Sequence, residues 1–218
     1  MFESSIPPSP DPMPHATPDL WASDSADAWT GAVDAYESVV AAQGVARLAE
    51  LDAWYRDELP GLISARSTPH VTHAELVKVT EWKMARGVWR ARNLVLVRGN
   101  EPAEVERAST EALAAVPDPA RPIAILARLA GVGPATASAV AAAAAPEVYP
   151  FFDELVGAQV PGLGEVAFTP KYYAAYASAL RERAAKLGGS WTPAKVEQAV
   201  WANSGGKAGV RVSSADHG

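Results

Sequence analysis

The sequence predicts an all-α protein, because its apolar residues recur at helical spacing over most of the chain. Alternation of apolar and polar residues with a period of two, which would indicate half-buried strands, is nearly absent. The one strand-like run, Leu94-Val95-Leu96-Val97, is short and is interpreted as buried helix. Apolar residues make up 49% of the 218 residues, which suits one globular unit or two small helical lobes around a shared groove.

Signals at the helix ends place each element in turn. Ser25 is of a residue type that caps helix starts, and Thr72 with Glu75 forms a capping-box pattern. Proline in a first helical turn marks further starts, because the N–H group that it lacks has no partner there. Pro60 is instead expected to end a helix, since proline disrupts a helix interior. The helices are predicted at about 25–42, 45–59, 72–87, 90–98, 102–116, 122–129, 134–144, 169–188 and 192–201.

The two ends of the chain differ in composition from its middle. Residues 1–20 are rich in Pro and Ser and are predicted to form a disordered tail, without the basic and apolar regions of a secretory signal. Residues 204–218 are rich in Gly and Ser and are predicted to form a flexible tail. The folded unit is therefore expected over residues 21–203, and no run of apolar residues is long enough to predict a membrane span.

The net charge of −6 argues against coating of nucleic acid by charge alone, but one segment is locally basic. Residues 83–98 contain five cations and no acid, which is the pattern that a DNA-binding face needs; the alternative is a solvated surface. Trp82 and Trp89 are each interpreted as core residues, and the alternative is stacking on a base. The five cations are Lys83, Arg86, Arg90, Arg92 and Arg98.

The most specific motif lies between two predicted helices. Leu126 and Leu129 stand at helical spacing before Gly131-Val132-Gly133, and a helix of small residues follows. Glycine enters positive φ without a Cβ penalty, so this run suits a very tight turn. The start of the second helix carries unpaired N–H groups and partial positive charge, so it can hold a phosphate. The alternative is an ordinary corner between two helices.

This motif resembles the helix-hairpin-helix of DNA repair proteins, and a second feature extends the resemblance. Asp153 lies eighteen residues after Ala135. An essential aspartate follows the hairpin at about this distance in the helix-hairpin-helix DNA glycosylases, which include endonuclease III. The resemblance covers roughly residues 70–160. It implies a two-lobed, all-α glycosylase-like fold in which the hairpin and Asp153 face the groove between the lobes.

The resemblance also implies a function, namely DNA binding in base-excision repair with monofunctional N-glycosylase activity on a damaged base. Asp153 would stabilise the sugar cation that forms as the base leaves, and would position a water molecule. The alternatives are that Asp153 only caps a helix, or that it pairs with Lys83 or Arg86, since a buried charge needs a partner. The DNA-binding residues implied are Gly131, Val132, Gly133, Ala135 and Thr136 in the hairpin and Lys83, Arg86 and Arg90 in the basic segment.

The partner implied is double-stranded DNA, bound by a monomer inside the cell, in a nucleus or on a nucleoid, with no membrane partner. The chain has no cysteine, which excludes the cysteine-ligated iron–sulfur cluster that many relatives carry. No metal ligand set is expected, and the resemblance allows one cofactor, a monovalent cation at the hairpin.

Several residues depart from the family pattern. Bifunctional relatives have a lysine at the position of Ala135, so no amine is present there for a Schiff-base lyase step. Asp153 is followed by Glu154 and Leu155, where relatives commonly have Thr or Ser and then His, and Ala158 replaces a basic residue. Two alternatives therefore stay open: a catalytically inactive relative that binds DNA or a protein through the groove, and a purely structural protein.

Overall fold

The prediction of an all-α protein is confirmed by a computed structural model of the chain, which describes residues 19–210. Within that range all regular structure is helical. A 3₁₀ turn, Leu20–Ala22, precedes the α-helices, and a π-helical turn, Trp54–Glu58, joins α3 to α4. The α-helices are α1 (Ala26–Asp34), α2 (Tyr36–Ala41), α3 (Leu48–Ala53), α4 (Leu59–Ser64), α5 (His73–Arg86), α6 (Ala91–Arg98), α7 (Pro102–Ala114), α8 (Arg121–Leu126), α9 (Pro134–Ala144), α10 (Glu154–Gly157), α11 (Pro170–Leu187) and α12 (Pro193–Asn203).

The helix starts follow the local signals in the sequence. Ser25 accepts a hydrogen bond from the Ala28 amide, and Thr72 and Glu75 form the reciprocal pair of a capping box. The longest helix, α11, begins at Thr169, whose side chain accepts from the Tyr172 amide, and proline occupies its first turn. These starts are confirmed because each depends on residues within one helical turn.

Two predicted helices differ from those observed. The helix predicted over 25–42 is interrupted at Ala35 and forms α1 and α2. The predicted helix end at Pro60 is wrong, because the chain continues as α4. In the π-helical turn before that proline, the Leu59 amide donates to the Trp54 carbonyl five residues earlier. This wider turn allows the helix to pass through a proline position that would otherwise break it.

The strand-like run 94–97 forms α6, as predicted, but it is buried on one side only. Leu94 and Val97 are buried, whereas Val95 and Leu96 are exposed. A helix that lies on the surface of the fold buries one stripe and leaves the other in water, so the expected burial holds for Leu94 and Val97 and is wrong for Val95 and Leu96.

The core is built around α9, a helix of small residues. Alanine, serine and threonine side chains allow close approach, and α9 packs against α4, α5 and α8. A second group of helices forms around α12, which packs against α1, α2, α10 and α11. One continuous hydrophobic core runs through both groups and includes Leu20 and Trp21. Residues 1–18 of the predicted amino-terminal tail lie outside the described residues. In the part of the chain that the structure describes, no helix is both long and apolar enough to cross a bilayer.

Gly131 is required by the turn between α8 and α9. Its φ is +75°, and a Cβ there would lie 2.5 Å from the Asn93 carbonyl oxygen and 2.9 Å from the Leu96 Cβ. We expect Gly131→Ala to lower the free energy of unfolding by roughly 1–3 kcal/mol in urea titrations, because both the backbone and the packing are strained. Gly133→Ala is the matched control, since Gly133 has negative φ and open space around it. Equal losses in the two variants would contradict this account of the turn.

Candidate functional site

A cleft of about 270 Å³ lies between three segments that are distant in sequence. They are the end of α5 with the loop after it, the first turn of α9, and the loop that leads into α10. Asn93 of α6, Phe168 and Lys207 complete the wall. The sequence-predicted residues that line this cleft are Lys83, Arg86, Arg90, Gly133, Ala135, Thr136 and Asp153.

The hairpin is fixed against α6 from outside the cleft. Gly131 packs against the backbone of α6, and Val132 is buried. The buried Asn100 side chain donates from Nδ2 to the Ala130 carbonyl at 2.9 Å and accepts from the Ala130 amide at 2.9 Å. Asn100 was not identified from the sequence. These two hydrogen bonds hold the turn in place. The first turn of α9 therefore lines the cleft, and its first backbone N–H groups have no partner within the helix.

The monovalent cation implied by the resemblance would need main-chain carbonyls of the hairpin as ligands. The Leu129 carbonyl accepts from the Val132 amide, and the Ala130 carbonyl accepts from Asn100. At Ala130 a side-chain amide thus occupies one of the two lone pairs of the carbonyl oxygen, and the cation at the hairpin stays a prediction. Within residues 19–210, no group of three or more His, Asp or Glu side chains could hold a metal ion.

Asp153 is held with one carboxylate oxygen engaged. Its Oδ1 accepts a hydrogen bond from the Leu155 amide at 2.8 Å, so the predicted cap of α10 is confirmed. The backbone before it is anchored as well, because the Phe152 amide donates to Ser138 and the Phe151 carbonyl accepts from Tyr176. The carboxylate is 6% exposed and lines the cleft. It is therefore a preorganised acceptor at the cleft wall.

Arg86 forms the ion pair with Asp153 that the sequence left open as an alternative. Its Nε lies 3.6 Å from Asp153 Oδ2, and both of its terminal nitrogens contact Glu197 of α12. The side chain is buried, and its guanidinium lies over the Trp201 ring, 4.4 Å from the ring centroid. The expectation that Arg86 faces DNA is therefore wrong, because its charge is enclosed and already paired.

The ion pair belongs to a larger buried network of charges. Glu197 lies 4.0 Å from Arg56, and Arg56 donates to Asp52 at 3.2 Å. Asp52 also accepts from the Tyr36 hydroxyl and the Trp82 indole at 2.8 and 2.7 Å. Burial raises the pKa of the Glu197 carboxyl to about 7; Arg86 and Arg56 oppose the rise, and Asp153 adds to it.

Glu197 was missed in the sequence, although a signal was present. On α12 it lies four residues after Pro193 and four before Trp201, and both of these residues are buried. Its position therefore falls on the buried stripe of the helix, where a carboxylate needs a cationic partner.

The raised pKa of Glu197 predicts a pH-dependent stability. Because its folded value lies above the ordinary 4.5, its stabilising contribution is complete below about 4.5 and is lost as pH rises through about 7. Relative to Glu197→Gln, the wild type should lose on the order of 3 kcal/mol of unfolding free energy between about pH 4.5 and about pH 8. Urea titrations at both pH values measure this difference. Glu182→Gln, at an exposed position of α11, retains Glu197 and should therefore follow the pH dependence of the wild type. A difference in unfolding free energy between the wild type and Glu197→Gln that is the same at both pH values would contradict the raised pKa of Glu197.

Cations at the cleft include one that the sequence did not suggest. Lys83 is half-buried, and its pKa is lowered by burial and then by the nearby Arg90, while Glu154 opposes the change. Lys207 donates from Nζ to the Gly87 carbonyl at 2.7 Å. Arg90 is exposed.

Lys207 is held at the cleft by a segment that was predicted to be a flexible tail. Gln43 donates to the Gly205 carbonyl at 3.0 Å and accepts from the Ala208 amide at 2.9 Å. Residues 204–210 are therefore part of the folded unit, and the remainder of the predicted tail lies outside the described residues.

The two tryptophans near the basic segment differ in environment. Trp82 is fully buried and stacks on Tyr55 with ring centroids 3.6 Å apart, so its interpretation as a core residue is confirmed. Trp89 is 57% exposed, and the interpretation as core is wrong for this residue. It lies in the loop between α5 and α6, where helical periodicity does not predict burial. Its indole is thus available to a partner beside the cleft.

Comparison of the chain with protein-family models, with curated proteins and with solved structures finds no match. The geometry of the cleft and the chemistry of its residues therefore carry the functional argument.

Proposed function

We propose that the chain binds double-stranded DNA through the face that carries the cleft, and that the cleft receives one nucleotide turned out of the duplex. The observation that carries the proposal is the meeting of the first turn of α9, Asp153 and the cations Lys83 and Arg90 at one cavity, although Lys83 and Asp153 lie seventy residues apart in sequence. A concave site that combines apolar walls with a few convergent polar groups is the usual form of a ligand pocket.

The DNA backbone is proposed to lie across the first turn of α9 and the cations at the cleft. Unpaired N–H groups at a helix start attract phosphate, and Lys83, Arg90 and Lys207 add positive charge beside them. Contacts of this kind position a duplex without selecting its sequence. The net charge of −6 confines the attraction to this face.

The chemistry proposed for the cleft is hydrolysis of an N-glycosidic bond. The bond between C1′ and the base nitrogen breaks, its electron pair leaves with the base, and the sugar becomes cationic. Asp153 stabilises this cation by its charge, and a water molecule adds to C1′ and loses a proton to the carboxylate. Because Ala135 stands where an amine would be needed, the proposed enzyme is monofunctional.

The alternative is a DNA-binding relative that has lost the chemistry. The charge of Arg86, 3.6 Å from Asp153, favours it, because a nearby cation reduces the stabilisation that the carboxylate can give to a sugar cation. Glu154 also lines the cleft and adds negative charge near the proposed path of the phosphates.

The deciding experiment is incubation of the wild-type protein with a panel of duplexes that each carry one damaged base. Abasic sites are then cleaved with alkali, and binding to the same duplexes is measured over a range of salt concentrations. Base release supports the enzyme. Salt-sensitive binding without release supports the inactive relative, and the absence of both overturns the proposal.

Lys207→Gln tests the DNA-binding face directly. If Lys207 contacts one phosphate, its loss should weaken binding to all duplexes and reduce the slope of log K against log salt by about 1. Lys186→Gln is the matched control, because Lys186 is an exposed lysine that does not line the cleft. If log K falls with log salt at the same slope in both variants, Lys207 does not contact the DNA.

A further inference from the structure

Glu197 has no role in the proposed chemistry, but it contacts Arg86, which also lies beside Asp153. We infer that Glu197 is a positioning residue that sets the charge Asp153 presents to the cleft, by competing with it for Arg86. The effect on base release rests on the proposed function, whereas the coupling between the two carboxylates does not.

The division of the Arg86 donors shows the competition. Both terminal nitrogens of the guanidinium contact Glu197, one of them at 3.4 Å. Only Nε is left for Asp153, at 3.6 Å, which is too long for a hydrogen bond. Among the described residues this buried Nε has no hydrogen-bond partner. Asp153 thus feels the charge of Arg86 without the close pairing that would neutralise it.

The network contains more carboxylates than guanidinium groups, so the competition for Arg86 depends on whether one of the carboxylates is protonated. Two guanidinium groups, of Arg56 and Arg86, are shared by three carboxylates, of Asp52, Asp153 and Glu197. One carboxylate is therefore in excess in a network that is largely buried. Glu197 is the most buried of the three, so protonation there relieves the excess at the lowest cost.

The other groups that face Glu197 leave it as the site that titrates. Burial keeps the pKa of each neighbouring tyrosine well above its ordinary value, so the tyrosines stay protonated at neutral pH. The guanidinium groups stay charged throughout. The titratable and charged groups that face Glu197 from the surrounding elements are Arg86, Arg56, Asp153, Tyr36, Tyr55 and Tyr176.

The protonation state of Glu197 decides how much negative charge Asp153 presents to the cleft. When Glu197 is ionised, it engages Arg86, and Asp153 keeps an effective negative charge at the cleft. When Glu197 is protonated, Asp153 becomes the main anion beside Arg86, and its ability to stabilise a sugar cation falls. The rate of base release should therefore rise with pH as Glu197 ionises, near pH 7. Glu197→Gln should lack this rise and stay at all pH values near the rate that the wild type shows at low pH, because a glutamine cannot ionise.

The test is a titration of the full chain labelled with ¹³C at its carboxyl carbons, followed by NMR. The spectra of Asp153→Asn and Glu197→Gln assign the two signals. We expect the Asp153 signal of the wild type to shift with the same midpoint as the Glu197 signal, and this step to be missing in Glu197→Gln. In Glu182→Gln the step should be retained.

An Asp153 signal that does not move while Glu197 titrates in the wild type would overturn the inference, and this result is read from the wild-type spectra once the two signals are assigned. A step that persists in Glu197→Gln would overturn it as well. Single-turnover base release against pH is the second readout, because a purely structural role of Glu197 would not change the shape of that profile. Failure of the wild type to release any base counts against the proposed function alone, and the NMR result still decides the coupling.

Discussion

Replacing Asp153 by asparagine is expected to slow base release by a factor of roughly 10²–10⁴, which is the usual contribution of one general acid–base group. The amide carries no charge for the sugar cation and cannot accept the proton of the attacking water. Asparagine caps helices as well as aspartate does, so the hydrogen bond to the Leu155 amide and the start of α10 should be kept. The loss should therefore appear in single-turnover rates, while affinity for the duplex is unchanged or slightly increased.

Glu154→Gln is the control for this variant, because Glu154 is the neighbouring carboxylate and also lines the cleft. Its amide form should release base at a rate close to that of the wild type. If Asp153→Asn retains full activity, Asp153 is not the reacting carboxylate. Equal losses in both variants would point to the total charge of the cleft rather than to one group.

Much of the fold could be predicted because its signals are local. The start of α5 depends on Thr72 and Glu75, and the start of α9 depends on a glycine turn followed by Pro134. Each signal acts within one turn of helix, where side chains satisfy backbone groups that the helix leaves unpaired. Such signals place helices without reference to the rest of the chain.

The incorrect predictions concern features that depend on the rest of the molecule. Pro60 does not end its helix, because the turn before it widens. Trp89 is exposed, because no helix covers the loop in which it lies. Residues 204–210 are ordered because Gln43, more than 160 residues earlier, binds their backbone. Composition and periodicity contain none of these contacts.

The candidate site also contains some features that the sequence predicts and others that it does not. The hairpin and Asp153 were found because motif and spacing identify them. Asp153 and the residues from Gly133 into the first turn of α9 line one cleft, whereas Gly131 and Val132 lie outside it, and their prediction as DNA-contacting residues is wrong. The burial of Arg86 could not be found, because its partner Glu197 lies 111 residues away and on another helix. A run of cations in the sequence indicates a basic surface equally well whether each cation is solvated or paired. The pairing is decided only by the packing of α5 against its neighbours.

The removal of Arg86 should have the largest effect on stability. Arg86→Met is expected to lower the free energy of unfolding by roughly 3–5 kcal/mol at about pH 8, because it leaves a buried charge without its hydrogen-bonded partner, and the remaining cation, Arg56, lies 4.0 Å away. The charge is that of Glu197, which is 1% exposed, and methionine preserves most of the packing volume. The loss should be smaller at about pH 5, where Glu197 can be protonated and no uncompensated charge remains. Urea titrations at the two pH values measure both effects.

Arg47→Met is the control for Arg86→Met, because the Arg47 side chain is 58% exposed where it pairs with Glu50 and Glu81. A surface pair contributes little, so this variant should unfold at nearly the same urea concentration as the wild type at either pH. The double variant Arg86→Met with Glu197→Met should regain much of the lost stability, since apolar side chains of similar volume can replace a buried ion pair. If the double variant is instead as unstable as Arg86→Met alone, the loss comes from packing around Arg86 and not from the unpaired Glu197 carboxylate. Recovery in the double variant, together with the pH dependence, would locate the cost in the charge that Arg86 shares between Glu197 and Asp153.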